Sequence, residues 1–92
     1  MMKSNPKKLL ESHRELVHSQ MMKVISHVQR EVGGWVLNTL MVEGCAAPFR
    51  YRRKERYRSL QGQRVNLTYY RTTESVAGIA MEVMKVVRVK MA

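Results

Sequence analysis

Six of the ten residues in the stretch FRYRRKERYR, residues 49–58, are cations, and Glu55 is its one acid. Arginine and lysine bind phosphate and carboxylate oxygens, so this density of one sign is typical of a surface that contacts a polyanion. In a β-strand, alternate side chains project from the same face. As a strand, the stretch has one cationic face, and its aromatic residues can reach the core: the cations are Arg50, Arg52, Lys54, Arg56 and Arg58, and the aromatics are Phe49, Tyr51 and Tyr57.

The segment RVNLTYYR, residues 64–71, also alternates and follows a connection that contains glycine. It predicts a β-hairpin with the basic stretch, in which residue 58 faces residue 64 and residue 52 faces residue 70. In this arrangement the cations hold phosphates, an amide offers hydrogen bonds and a tyrosine offers a stacking plane. The predicted nucleic-acid-binding set is Arg50, Arg52, Lys54, Arg56, Arg58, Arg64, Asn66 and Tyr70, widened by Arg88 and Lys90 of the last predicted strand.

The net charge of +10 over 92 residues is unevenly distributed. Residues 1–44 carry six Lys/Arg against four Glu, whereas residues 45–92 carry eleven against three, and the chain has no Asp. Such asymmetry favours an anionic partner. We therefore expect a small basic module that binds RNA or single-stranded DNA, rather than duplex DNA, largely through the nucleic-acid backbone. An acidic protein remains open as the partner of the same basic face.

Apolar periodicity predicts a helix over about residues 6–32. Asn5-Pro6 is typical of a helix start, and Gly33-Gly34 of a helix end. Between them, apolar residues recur at steps of three, four and seven, as on one face of a helix: Leu10, Val17, Met21, Val24, Val28 and Val32.

Strands are predicted at about residues 35–42, 49–58, 64–71 and 79–91. In the last of these, the odd-numbered residues are apolar except for Lys85. The whole chain, residues 1–92, is expected to form a single basic α+β domain. Its one long N-terminal helix would pack on a three- to four-stranded antiparallel sheet, or on a small, partly open barrel.

The predicted helix also provides an alternative function. Val17, Met21, Val24 and Val28 follow a 4-3-4 spacing, which is coiled-coil-like over barely two heptads. On this interpretation the chain is a protein-interaction or assembly module. It would form a homodimer through the helix, and its basic face would meet an acidic protein partner.

No enzyme activity, cofactor or metal site is expected. Without Asp a Ser-His-Asp triad cannot form, and His13, His18 and His27 could not share a metal ion on the predicted helix. The single cysteine, Cys45, cannot form an intramolecular disulfide, and no secretory signal is visible. The longest uncharged stretch, Val32 to Val42, falls short of the roughly 20 residues of a membrane helix. We therefore expect a cytoplasmic protein without a membrane partner.

One pair of short patterns resembles a known family. Arg52 and Arg56, followed by Ser75 and Gly78, resemble the two-part motif of PilZ domains. That motif reads Arg-x-x-x-Arg and then Asp/Asn-x-Ser-x-x-Gly, and it implies a cyclic dinucleotide as ligand. Thr73 stands where the motif has Asp or Asn, and the resemblance covers less than a third of the chain.

Overall fold

The computed structural model describes residues 15–92, which form five β-strands closed into a barrel. The strands are β1 (Val17–Val32), β2 (Trp35–Val42), β3 (Phe49–Arg53), β4 (Arg64–Val76) and β5 (Ile79–Met91). Their order around the barrel is β1-β2-β3-β5-β4, and β4 pairs back with β1. The β3–β5 contact is parallel, and the other four are antiparallel.

The predicted α+β class with a long N-terminal helix is wrong, because the described residues contain no helix. Residues 17–32 of that helix form β1, and its residues 6–14 lie outside the described residues. The 4-3-4 spacing on which the expected homodimer rests therefore lies on a strand and not on a helix.

Irregular pairing explains why β1 resembles a helix in sequence. Its register shifts between Ser19 and Met22 and again between Val24 and Ser26. Each inserted residue at a bulge lengthens the same-face spacing from two to three, so two bulges give a strand some of the spacings of a helix. The expected apolar stripe is in fact divided between two faces, since Val24 is fully buried whereas Val28 is 50% exposed.

The glycines after β1 form a hairpin turn and not a helix cap. Gly33 and Gly34 have φ angles of 55° and 83°, and Val32 pairs directly with Trp35 on either side of them. Two consecutive positive φ angles are what a two-residue hairpin turn requires, and glycine adopts them without strain. The glycines do end the first element, but they reverse the chain into a neighbouring antiparallel strand.

Pairing of the basic strand also differs from the prediction. The strand predicted at residues 35–42 is β2, but the strand predicted at 49–58 ends at Arg53. It pairs with β2 and β5, and the β3–β4 hairpin predicted from alternation is not formed. β4 and β5 instead form the hairpin, with β4 continuing to Val76. The parts of β4 and β5 that contact neither β1 nor β3 pair with each other as far as the Ala77-Gly78 turn.

The barrel interior is apolar and aromatic. Phe49 is fully buried, and its ring meets that of Tyr69 edge to face, with centroids 4.7 Å apart. The strictly alternating burial along β2 and along the first half of β4 supplies most of this core, as expected for strands with one face inside. The buried apolar residues are Val24, Val36, Leu40, Val42, Phe49, Val65, Leu67, Tyr69, Val83 and Met84.

Candidate nucleic-acid interface

A row of paired residues crosses the outside of the barrel from β2 to β4. Thr39 pairs with Arg50, Arg50 with Lys85, and Lys85 with Tyr70. Directly paired residues project from the same face of a sheet, and neighbours along a strand from opposite faces. Because Phe49, next to Arg50, is fully buried, all four members of the row lie on the outer face. Closure of the barrel thus brings a cation of β3, a cation of β5 and a tyrosine of β4 side by side.

A second row lies beside the first. Arg30 of β1 pairs with Leu37 of β2, which pairs with Arg52 of β3. The two rows line an open outer groove of about 750 Å³, with Trp35 also in its wall. We refer to this surface as the basic groove, defined by Arg30, Trp35, Leu37, Thr39, Arg50, Arg52, Tyr70, Glu74 and Lys85.

Trp35 gives the basic groove an exposed aromatic ring. It begins β2 directly after the two-glycine turn and remains 37% exposed. Lys54 Nζ lies 4.2 Å from the ring centroid, and Arg52 Cζ lies 5.3 Å from it. A cation at this distance is attracted to the negative face of the ring, so the two side chains are held near the groove. Cations next to a stackable ring can engage both the phosphates and the bases of one strand.

One acid lies among the cations of the basic groove. Arg50 Nη1 donates a hydrogen bond to Glu74 Oε1 at 2.8 Å. Four cations and one acid therefore leave a groove charge of 4 − 1 = +3, before Lys54 is counted. The pair is partly solvated, with side chains 41% and 33% exposed, so it contributes no more than about 1 kcal/mol to stability.

The short contact between β3 and β5 extends the groove. The parallel pairing consists of Phe49 with Met84 and Arg50 with Lys85. Past these pairs the two strands separate, which leaves a further opening of about 270 Å³ between them. Arg52 lines both openings, and Arg88 lines the second one. The cationic surface therefore continues along β5 from Lys85 to Arg88.

Other predicted site residues lie elsewhere. Arg56 and Arg58 follow the end of β3, and Arg56 Nη1 donates to the Gln29 carbonyl at 3.3 Å. Arg58 lines a cavity at the end of the barrel. Arg64 Nη1 donates to the Met21 carbonyl at 2.9 Å, and Asn66 Oδ1 accepts from the Met21 amide at 3.0 Å.

Distance along β5 separates Lys90 from the groove. It pairs with Asn66, five residues beyond Lys85, which is roughly 16 Å along a strand. The structure therefore brings together Arg50, Arg52, Lys54, Tyr70 and Arg88 of the predicted set. It does not bring Arg56, Arg58, Arg64, Asn66 and Lys90 to the same groove.

Two cations and the tryptophan of the groove were not among the predicted site residues. Arg30 lies within the predicted helix, Trp35 within the predicted strand 35–42, and Lys85 is the exception in the apolar pattern of the last predicted strand. The irregular pairing between β4 and β5 explains why Lys85 departs from the apolar pattern. Because the register shifts near Val87, the alternation of inward and outward side chains along β5 changes there. Alternation within WVLNTLMV, residues 35–42, could have predicted that Trp35 is exposed, since odd-numbered residues of β2 face outward.

At one end of the barrel, the segment 54–63 folds back over β1. The Leu60 amide donates to His27 Nδ1 at 2.9 Å, and His27 Nε2 lies 2.7 Å from Asn38 Oδ1. With Nδ1 accepting, His27 is the neutral tautomer whose Nε2–H donates to Asn38. Gln29 Nε2 donates to the Tyr57 carbonyl at 2.7 Å, and the Tyr57 amide donates to Gln29 Oε1 at 3.2 Å. These bonds fix the segment as a cover over the barrel end.

Comparison with known proteins adds no relative: no family model, no curated protein and no solved structure matches the chain. The PilZ-like pattern remains a resemblance of short motifs, with Arg52 on β3 and Gly78 in the β4–β5 turn.

Within residues 15–92, no cluster of three His, Cys, Asp or Glu could hold a metal ion, and no helix could cross a membrane. Fold and surface define the class: a basic closed β-barrel with a cationic, aromatic-lined groove.

Proposed function

We propose that the protein binds single-stranded nucleic acid, RNA or single-stranded DNA, in the basic groove. The observation that carries the proposal is the meeting of Arg52, Lys54 and Lys85 with the rings of Trp35 and Tyr70 on one outer surface. Cations that track a phosphate backbone beside aromatic stacking planes are the usual means of binding a single strand.

Free charge in the groove supports the proposal. Within the described residues, the ion pairs are Arg50 with Glu74 and Arg71 with Glu82. Arg30, Arg52 and Lys85 are therefore not neutralised by a carboxylate in that part of the chain. Like charges held side by side are mutually destabilising, and a polyanion would relieve this repulsion while releasing its own counterions.

The aromatic residues favour a single strand over a duplex. A base can stack on Trp35 only if its own face is free, which unpaired nucleotides provide and a continuous duplex does not. The barrel architecture offers a further parallel, because five-stranded Greek-key barrels of the OB type bind oligonucleotides and oligosaccharides on their β2–β3 face. The basic groove lies on β2 and β3, although the parallel is one of architecture alone.

The test is fluorescence anisotropy with labelled ten-nucleotide oligo-rU and oligo-dT and with a labelled polyglutamate probe. Trp35→Ala is expected to weaken oligonucleotide binding about tenfold, since stacking contributes about 1–3 kcal/mol per base, while Trp35→Phe retains a ring and most of the affinity. The double variant Arg52→Ala/Lys54→Ala should reduce the slope of log K against log salt by about 1.4, or 0.7 per lost contact.

A matched control separates the groove from net charge. Arg64→Ala/Lys90→Ala removes the same two charges outside the groove, and we expect a much smaller loss of affinity. If the two double variants lose the same oligonucleotide affinity, the basic groove is not the binding site. Polyglutamate bound as tightly as the oligonucleotides, with no effect of Trp35→Ala, would replace nucleic acid by an acidic protein as partner.

A further inference from the structure

A second cationic site lies inside the end of the barrel, where the segment 54–63 covers it. It is a partly open cavity of about 170 Å³ between β1, β2, β3 and the end of β5. Arg53 and Arg58 supply its charge, Tyr51 and Tyr57 its aromatic walls, and Val89 and Met91 part of its apolar side. None of the residues that line it is an Asp or a Glu.

Arg53 occupies an unusual position for a cation. It pairs directly with Val36, whose side chain is buried, so Arg53 projects toward the barrel interior and is half-buried there. Neither Arg53 nor Arg58 takes part in an ion pair within residues 15–92. A cation withdrawn from water without a counter-ion costs free energy, and that cost is recovered when an anion binds.

Aromatic rings hold the Arg53 guanidinium in place. Its Cζ lies 5.0 Å from the Tyr57 ring centroid and 5.4 Å from that of Tyr51. The guanidinium is thereby oriented before any ligand arrives, with donors left over for a carboxylate. Burial raises the pKa of Tyr51, partly opposed by the positive charge of Arg53 and by the hydrogen bond that Arg53 donates to the phenol, so the phenol stays protonated and able to donate a hydrogen bond.

We propose that this cavity binds a small organic anion, namely a carboxylate carried on a single aromatic ring of about the size of benzoate. The carboxylate would pair with Arg53, and the ring would lie against Tyr51 and the apolar side formed by Val89 and Met91. A dry cavity of about 150 Å³ accommodates benzene, so a volume of this order admits one ring with its carboxylate. It is too small for a nucleotide, which adds a sugar and a phosphate to a base.

The cavity and the basic groove lie on opposite sides of β3, and Tyr51, Arg53 and Val89 line both the cavity and the opening between β3 and β5. Arg53 and Arg52 are neighbours on β3 and therefore project to opposite faces, one inward and one outward. The polar end of the cavity is already satisfied, because His27 and Asn38 bond to each other. Recognition thus falls to the arginines and to the Tyr51 phenol, and the ligand is selected by charge and by the size of its ring.

Titration of the ¹⁵N-labelled protein with sodium benzoate and with benzyl alcohol, followed by NMR, tests the proposal on the native chain. Benzoate should shift the amide signals of Arg53 and Leu60. Benzyl alcohol, a neutral molecule of similar size, should bind at least about tenfold more weakly, since hydrogen bonds to charged groups are the strong ones. Equal affinity for the two, or benzoate shifts confined to Trp35 and Arg52, would overturn it.

Two variants locate the anion. Arg53→Gln should lose benzoate binding, whereas the matched control Lys90→Gln removes an equal charge outside the cavity and should keep it. Val89→Phe fills the cavity and leaves Arg53 in place, so it should also abolish benzoate binding. This second variant tests the site even if Arg53→Gln does not fold. Inorganic phosphate that competes as well as benzoate would show a general anion site and refute selection for the ring.

Discussion

The outer groove and the inner cavity use neighbouring cations of one strand in opposite surroundings. Arg52 projects outward beside exposed Trp35, whereas Arg53 projects inward between Tyr51 and Tyr57. The groove is open and long, with cations from β1, β3 and β5, and it suits an extended polyanion. The cavity is small and partly enclosed, and it suits one charge on one ring. Alternation along β3 thus divides a single basic run between the two sites that we propose.

Salt should separate the two sites most strongly. Raising salt from 50 to 200 mM is expected to weaken oligonucleotide binding about 20–50-fold if three or four cations meet phosphates. Benzoate has one charge in a partly enclosed site, so its affinity should change by less than about threefold. Parallel titrations at four salt concentrations provide the comparison, and equal slopes would mean that both ligands use the same surface.

Release of the barrel-end cover should affect the cavity alone. Gln29→Ala removes the two hydrogen bonds to Tyr57, each contributing about 0.5–1.5 kcal/mol. We expect benzoate binding to weaken about fivefold and oligonucleotide binding to stay within about twofold of the native value.

Gln61→Ala is the matched control for this change, because Gln61 is an exposed residue of the same segment. Its substitution should leave both ligands unaffected. Benzoate affinity that is unchanged in Gln29→Ala would show that the segment 54–63 contributes nothing to the cavity.

Removal of the groove acid should have the smallest effect, and in the opposite direction. Glu74→Gln frees Arg50 and raises the groove charge, so oligonucleotide binding should strengthen by about two- to fivefold. Thermal unfolding should detect a loss of no more than about 1 kcal/mol, because the pair is partly solvated.

Glu82→Gln makes the same charge change at the more exposed Arg71 pair, outside the groove. It should strengthen oligonucleotide binding less than Glu74→Gln does. Equal gains would indicate that the ligand responds to overall charge and not to this surface.

Local patterns predicted the regular strands well and the irregular ones badly. The alternation of β2 and of residues 64–71 appears directly as alternating burial. β1 alternates too, but its two register shifts displaced the pattern into helix-like spacing. The same limit applies to the site: Arg50, Arg52 and Tyr70 do face outward, whereas Arg56 and Arg58 left the strand because β3 ends at Arg53.

The sequence by itself determined the charge excess, the end of the first element at Gly33-Gly34 and the inward position of Phe49 and Tyr51. These depend on composition and on neighbours within a few residues. Tertiary structure alone decided that β5, and not β4, lies beside β3. Barrel closure is a long-range pairing, so no local pattern specifies which strands meet. The β3–β5 pairing placed Lys85 beside Arg50, and the β2–β3 pairing placed Trp35 beside Lys54; together they created the surface to which we assign function.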